Sequence, residues 1–246
     1  MNILFRHLII QFKIDIRDNG TLMTYYFVPL LFYFVMGAVF SSVNPISRET
    51  LAASMTIFSV TMGAVLGMPA PIVRMYESGV LRGFKVYGIP AWAVFFIQGI
   101  STGLHLTIVS LVIFFTAPLF YGANIVVNIP AYFVTLTVLL FTMLAIGLLI
   151  GVLARSQSVA MMLSQVVFLP TMMLGGIMFP AELLPEPLRI LGQLLPATYI
   201  MQAFTDSAYN LHTTLSTIPA LIITLGIGFI AIICSIIRYK TIARSL

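Results

Sequence analysis

Charge is what this sequence has least of. Only 8% of its 246 residues are Asp, Glu, Lys or Arg, against 60% hydrophobic residues. A soluble domain carries about 25% charged residues, so a chain this depleted could not clothe a water-facing surface. With a mean hydropathy of +1.09, it reads as an integral membrane protein. Cysteine is nearly missing as well: Cys234 stands alone in an apolar run, which excludes a disulfide framework or a thiolate metal site. No HExxH motif or Cys/His cluster offers a metal site. Gly83 and Gly88 have the separation of an ATP-binding loop, but Ile89-Pro90 follow where Lys-Ser/Thr is needed. No cleavable signal peptide is expected, because charges interrupt the N-terminal residues every few positions. The net charge of +5 follows from topology, as argued below, and no nucleic-acid partner is expected.

What charge there is gathers in one place. Arg74, Glu77, Arg82 and Lys85 lie in the island RMYESGVLRGFKVYGIP, from Arg74 to Pro90, between two long apolar runs. Such an island must sit in water, and it is the obvious surface for a soluble partner. Before it, residues 2–18 form an amphipathic helix. At about 100° per residue, Leu4, Phe5, Leu8, Ile9, Phe12 and Ile16 share one arc, and Arg6, Lys13 and Arg17 form a stripe beside it. That pattern suits a helix in the headgroup plane against anionic lipid; the alternative is a helix packed on the protein's own cytosolic side.

Crossing the hydrocarbon core takes about 20 mostly apolar residues. Six stretches qualify: 22–43, 51–72, 90–117, 131–154, 158–179 and 217–237. The patches within 183–204 are interrupted by Pro185, Pro187 and Pro196, and are expected as broken or re-entrant helices at the membrane surface. With the N-terminus inside, the cytosolic segments hold Arg6, Lys13, Arg17, Arg74, Arg82, Lys85, Arg155, Arg238, Lys240 and Arg244, while the external ones hold only Arg48 and Arg189. This positive-inside bias places both termini and the 74–90 loop in the cytosol. Small residues at Gly63/Gly67, Gly99/Gly103 and Gly147/Gly151 have the spacing that lets backbones approach in lipid.

No carboxylate or basic side chain is expected deep inside a span, which disfavours ion-coupled carriers and voltage sensors. One polar stripe is present: Gln98, Ser101, Thr102 and His105 fall at i, i+3, i+4 and i+7 on the third span. The fifth span has a thinner version in Gln157, Ser164 and Thr171, with Gln165 beside it. Either these residues face a substrate path or they hydrogen-bond between helices. Gly99-Ile100-Ser101-Thr102-Gly103 spells GxSxG with His105 one turn beyond. That motif has meaning only at a strand-to-helix turn. No strand signal surrounds it, and no Asp or Glu lies nearby to orient the histidine.

Taken together, these features resemble the membrane subunit of type 2 ABC transporters, the exporter permeases. The loop carries Glu77, Gly79, Leu81, Arg82, Lys85 and Pro90 in the family's order, although Met75-Tyr76 stand where a further acidic residue is common. A second signature precedes the last span: Gly175-Gly176, Pro180, Leu184-Pro185, Leu188 and Pro196-Ala197-Thr198-Tyr199. The resemblance implies an all-α, type 2 ABC exporter transmembrane fold: one domain over residues 1–246, six spans within 22–237, an interfacial helix over 1–20, a coupling loop at 74–90 and an external loop with short helices at 180–212. It implies that Arg74, Glu77, Gly79, Leu81, Arg82 and Lys85 engage the ATPase, and that Gly175, Gly176, Pro180, Pro185, Pro196 and Tyr199 shape an external gate. It further implies a permease in a bacterial cytoplasmic membrane, working with a second permease, identical or homologous, and two copies of a separate ATPase. The chain itself would be no enzyme and bind no cofactor; ATP and Mg would sit on the ATPase. The expected cargo is an amphipathic or hydrophobic drug, antibiotic or peptide, since a single Trp92 and few polar residues ill suit a glycan path. Lipid or polysaccharide export, and a scaffold or sensor with no transport role, are the alternatives.

Overall fold

The structure is a computed structural model and describes residues 3–43, 48–80, 83, 91–178 and 183–243. Helix α1, Ile3–Arg17, ends at Asp18, whose carboxylate accepts the Thr21 N–H and so caps the next helix. The long helices follow as α2 (Asn19–Ser42), α3 (Leu51–Glu77), α4 (Ala91–Tyr121), α5 (Ile129–Leu153) and α6 (Gln157–Leu174). Two short helices, α7 (Glu186–Gly192) and α8 (Pro196–Tyr209), precede α9 (Thr217–Ala243). No strand occurs among the described residues.

Six helices are long and apolar enough to cross a membrane, and they match the six expected stretches. Their ends follow local chemistry. Asn128 and Ser156 cap α5 and α6 by accepting the N–H groups of Ala131 and Val159. The second span continues past residue 72 to Glu77, because Arg74 and Glu77 extend the helix on its polar side until a glycine stops it. The fifth stops at Leu174, short of 179, at Gly175.

Helix α3 is the axis of the bundle. Of its apolar window 83% is buried, against 22–56% for the other spans, and every residue from Leu51 to Thr61 is buried. Helices α4, α5, α6 and α8 all pack on it, while α9 closes the far side through α5 and α8. The short helix α8 is therefore not a surface feature. Its Ile200, Ala203, Phe204 and Ala208 enter the core, where Phe204 meets the Tyr132 ring.

Two of the three glycine pairs allow this packing. A Cβ on Gly147 would collide with the backbone carbonyl oxygen of Ala64, and one on Gly151 would press into Ile72, so α3 and α5 approach backbone to backbone. Gly63 and Gly67 give way to Leu106 and Tyr25. Gly99 and Gly103 do not work this way: their surroundings leave ordinary or slightly tight contacts with Met68 and Leu144. Two π-helical turns interrupt the α-helical pattern, at Met23–Phe27 in α2 and Met62–Gly67 in α3. They lie side by side, with the Tyr25 ring over Gly67.

Gly147→Ala is expected to lower stability by about 1–3 kcal/mol, because a carbonyl oxygen cannot swing aside as a side chain does. Gly226→Ala, where nothing lies within 4 Å of the added carbon, serves as the control. Unfolding midpoints in detergent check this: the first should fall by several degrees and the second should stay within error.

Candidate functional site

The charged end of α3 is built by a stop signal and two cross-links. Ser78 and Gly79 donate their N–H groups to the carbonyls of Arg74 and Tyr76, at 3.0 and 3.2 Å. Gly79 takes φ 71°, the left-handed conformation that ends helices and that glycine adopts without strain. Arg74 and Glu77, three residues apart, do not pair with each other. Arg74 Nη2 lies 3.7 Å from Asp18 Oδ2, and Glu77 Oε2 accepts the Gln157 amide at 3.1 Å. Both links are solvent-exposed, and an exposed ion pair contributes only about 0.2–1 kcal/mol. They nonetheless register three elements: the α1–α2 joint, the end of α3 and the start of α6. The Asp18 carboxyl is held below the usual carboxylate range, first by the Thr21 hydroxyl and then by the Thr21 N–H and Arg74, with partial desolvation acting against them. A shallow cleft opens between Arg74, Met75, Glu77, Ser78 and Gln157. Leu81, Arg82, Lys85 and Pro90 lie outside the described residues.

Behind this surface the polar stripe of α4 meets α1 and α2. Gln98, Ser101, Thr102 and His105 are all fully buried. The Ser101 hydroxyl donates to Asp15 Oδ2 at 2.5 Å, and the Gln11 amide donates to the other carboxylate oxygen at 2.9 Å. His105 Nε2 stands 3.7 Å from Asp15 Oδ2, while its Nδ1 bonds the Tyr26 hydroxyl at 2.6 Å. The Phe12 ring stacks on the imidazole with centroids 4.1 Å apart and planes 2° from parallel. Thr102 is bonded to the Tyr25 hydroxyl at 3.0 Å, and the Gln98 amide reaches it at 3.4 Å. In this chain the stripe therefore joins helices.

Asp15 corrects one expectation: an acidic side chain does reach Ser101 and His105, brought by α1 from far away in the chain. It does not assemble a hydrolase-type Ser–His pair. The Ser101 hydroxyl donates its hydrogen bond to the carboxylate and His105 Nδ1 is bonded to Tyr26, so serine and histidine are not paired as nucleophile and base. Sequence reasoning missed Asp15, although it is the lone acid within α1, Ile3–Arg17.

The residues of the fifth span separate. Ser164 is buried and Gln165 is exposed, while Thr171 donates to the Val167 carbonyl within the helix. They do not join the α4 stripe in one site.

At the opposite end lies a cavity of about 720 Å³, lined by Ser54, Gly175, Gly176, Arg189, Gln202 and His212 among others. Gly175 donates its N–H to the Thr171 carbonyl, and Gly176 turns the chain at φ 73°. Pro185 and Pro196 start α7 and α8, and the Tyr199 hydroxyl ties them by donating to the Gln193 carbonyl at 2.6 Å. Pro180 lies outside the described residues. Two residues that the sequence did not flag complete this end. Gln202 accepts the Thr214 hydroxyl and the Leu215 N–H, and Asp206 caps α9 through the Thr217 N–H at 2.8 Å.

Comparison with known proteins gives a family and several relatives. A family profile described as "ABC-2 type transporter" matches residues 5–209. The chain is 28% identical over 148 residues to the "Inner membrane transport permease YhhJ" of Escherichia coli (strain K12), covering 59% of this chain and 39% of that protein. It thus spans about two fifths of that relative's length. It is 24% identical over 204 residues to the "Putative transport permease YvfS" of Bacillus subtilis (strain 168), covering 80% and 82% of the two chains. The "ABC transporter G family member 20" of Dictyostelium discoideum is 26% identical over 167 residues, 66% of this chain and 23% of that one.

Replacing His105 with Leu removes the partner of the buried end of the Tyr26 hydroxyl bond and is expected to cost about 1–3 kcal/mol. Adding Tyr26→Phe should restore part of the loss, since no orphaned hydroxyl then remains. A double-mutant cycle of unfolding midpoints reads this directly; strictly additive losses would mean that the pair is not coupled.

Proposed function

The chain belongs to the ABC-2 type transporter family, and from that membership we propose that it is the transmembrane subunit of an ATP-driven exporter, moving an amphipathic or hydrophobic drug, antibiotic or peptide out of the cell. It is a multi-pass membrane protein with six candidate spans. Family membership implies pairing with an ABC ATPase, so ATP and Mg belong on that subunit. The observation that carries the reading is the extent of the family match, which takes in both the charged end of α3 and the glycine- and proline-marked turns before α9.

In this reading both termini and the charged end of α3 face the cytosol, and residues 74–90 enter a cleft of the ATPase. Among the described residues nothing lies within 4 Å of a Cβ built on Gly79 or Gly83, which leaves room for a partner's backbone. Arg74 and Glu77 act behind the contact, fixing the segment to α2 and α6. The cavity at the other end is the exit, and its mix of apolar walls with Arg189, Gln202 and His212 suits an amphipathic cargo. A second permease, identical or homologous, covers the exposed face of α6, where Met162, Val166, Leu169 and Met173 surround the exposed polar Gln165. A polar amide facing lipid is unfavourable, and a facing helix offers it a hydrogen-bond partner.

Reversing Arg82 and Lys85 to Glu is expected to preserve insertion and permease pairing but abolish ATPase capture or substrate-stimulated hydrolysis, since like charges placed together cost several kcal/mol. Pull-down of the ATPase and hydrolysis in reconstituted vesicles provide the readout. Unchanged binding and stimulation would remove these residues from the contact. Transport by the same vesicles of a labelled amphipathic drug, a lipid or a glycan decides between cargo classes.

Topology is a separate test. Single cysteines at residues 46 and 190, introduced after replacing Cys234, should react with an impermeant thiol reagent applied to intact cells, while one at residue 80 should not. Labelling at 80, or protection at 190, would overturn the assigned orientation.

A further inference from the structure

Helix α1 has two faces with different chemistry, and among the described residues only one is occupied by the protein. The inner face presents Leu8, Gln11, Phe12 and Asp15 to α2 and α4, with Asp15 buried and the other three partly buried. On a helix of about 100° per residue, Arg6, Lys13 and Arg17 fall within a narrow stripe on the side directly opposite. All three are exposed, and no carboxylate pairs with them among the described residues. Exposed apolar side chains border the stripe on both sides: Phe5, Ile9 and Ile16 along one edge, Ile10 and Ile14 along the other. A solvated helix face has no need of five exposed large apolar residues beside three cations. An anionic bilayer surface satisfies both, taking the apolar rows into the acyl boundary and the cations among the headgroups.

We propose that the outward face of α1 binds anionic phospholipid headgroups, and that the buried Asp15 carries this grip to the bundle. Asp15 joins α1 to α4 through Ser101, and Asp18, at the foot of the same helix, joins it to Arg74 at the end of α3. Lipid that holds α1 therefore holds the end of the central helix in register. The ligand class is a glycerophospholipid with a net negative headgroup, and the inference stands on α1 and its contacts whether or not the ATPase reading holds.

The test uses the full chain in nanodiscs of phosphatidylcholine alone or of a three-to-one mixture with phosphatidylglycerol. Hydrogen exchange is followed over residues 3–17, and the unfolding midpoint is measured in each lipid. In the wild type, the anionic lipid should slow exchange in α1 and raise the midpoint. Each basic residue neutralised in Arg6→Gln, Lys13→Gln and Arg17→Gln should weaken the grip about fivefold, so the triple variant should exchange alike in both lipids. Asp15→Ala should keep the slowed exchange of α1 and lose the gain in midpoint. Wild-type exchange that ignores the anionic lipid, or a triple variant that keeps the effect, overturns the headgroup contact. A full midpoint gain in Asp15→Ala overturns the latch. Loss of the wild-type effect in 0.5 M salt supports the electrostatic contact even if the triple variant inserts poorly.

Discussion

Everything in this bundle is arranged around a helix that must be touched on all sides. Lipid tails are as apolar as leucine, so the spans gain nothing from hiding greasy surface from lipid and associate through close van der Waals contact and hydrogen bonds. Helix α3 achieves this with small residues. Where Gly147 meets the Ala64 carbonyl, backbones touch with no side chain between them. Ser54, Thr56, Ser59 and Thr61 add narrow, buried polar positions, of which Thr56 bonds the Tyr132 hydroxyl at 2.9 Å. With the axis filled this way, the other helices have little freedom in where they pack, and the charged end of α3 leaves the bundle at a fixed place.

The spans were legible because they are set by composition over long windows and by local stops. Asn128, Ser156, Gly79 and Gly175 each end or begin a helix for reasons visible within four residues of themselves. The polar cluster was not legible. Ser101 and His105 find Asp15, which is 86 residues from Ser101 in the chain, and no periodicity within α4 points to it. Asp15 falls within the apolar arc of α1, between Leu4 and Leu8, yet the arc suggested a helix turned wholly toward lipid or toward the cytosolic side. In fact Phe12 and Leu8 turn inward with Asp15, while Ile10 and Ile14, outside the arc, remain exposed.

Arg74 and Glu77 show a second way in which spacing misleads. Three residues apart on a helix is the right distance for an ion pair, but such pairs are weak when exposed. Asp18 and Gln157 offer competing partners from neighbouring elements, and the long side chains take those instead. The result joins two other helices to α3 rather than stiffening α3 alone. The outer end has the same character: Gln202 and Asp206 organise the loop before α9, with partners eleven or more positions away.

The two π turns, Met23–Phe27 and Met62–Gly67, divide α2 and α3 into upper and lower shafts. A π turn winds more residues into each revolution than an α turn, so the side chains below it are out of phase with those above. A wheel drawn through either whole span therefore assigns its lower residues to the wrong side. The two offsets lie against each other, with the Tyr25 ring over Gly67. Asp18 and Arg74 meet below these offsets, so their angular alignment depends on both spans having gained the same kind of slip at the same height.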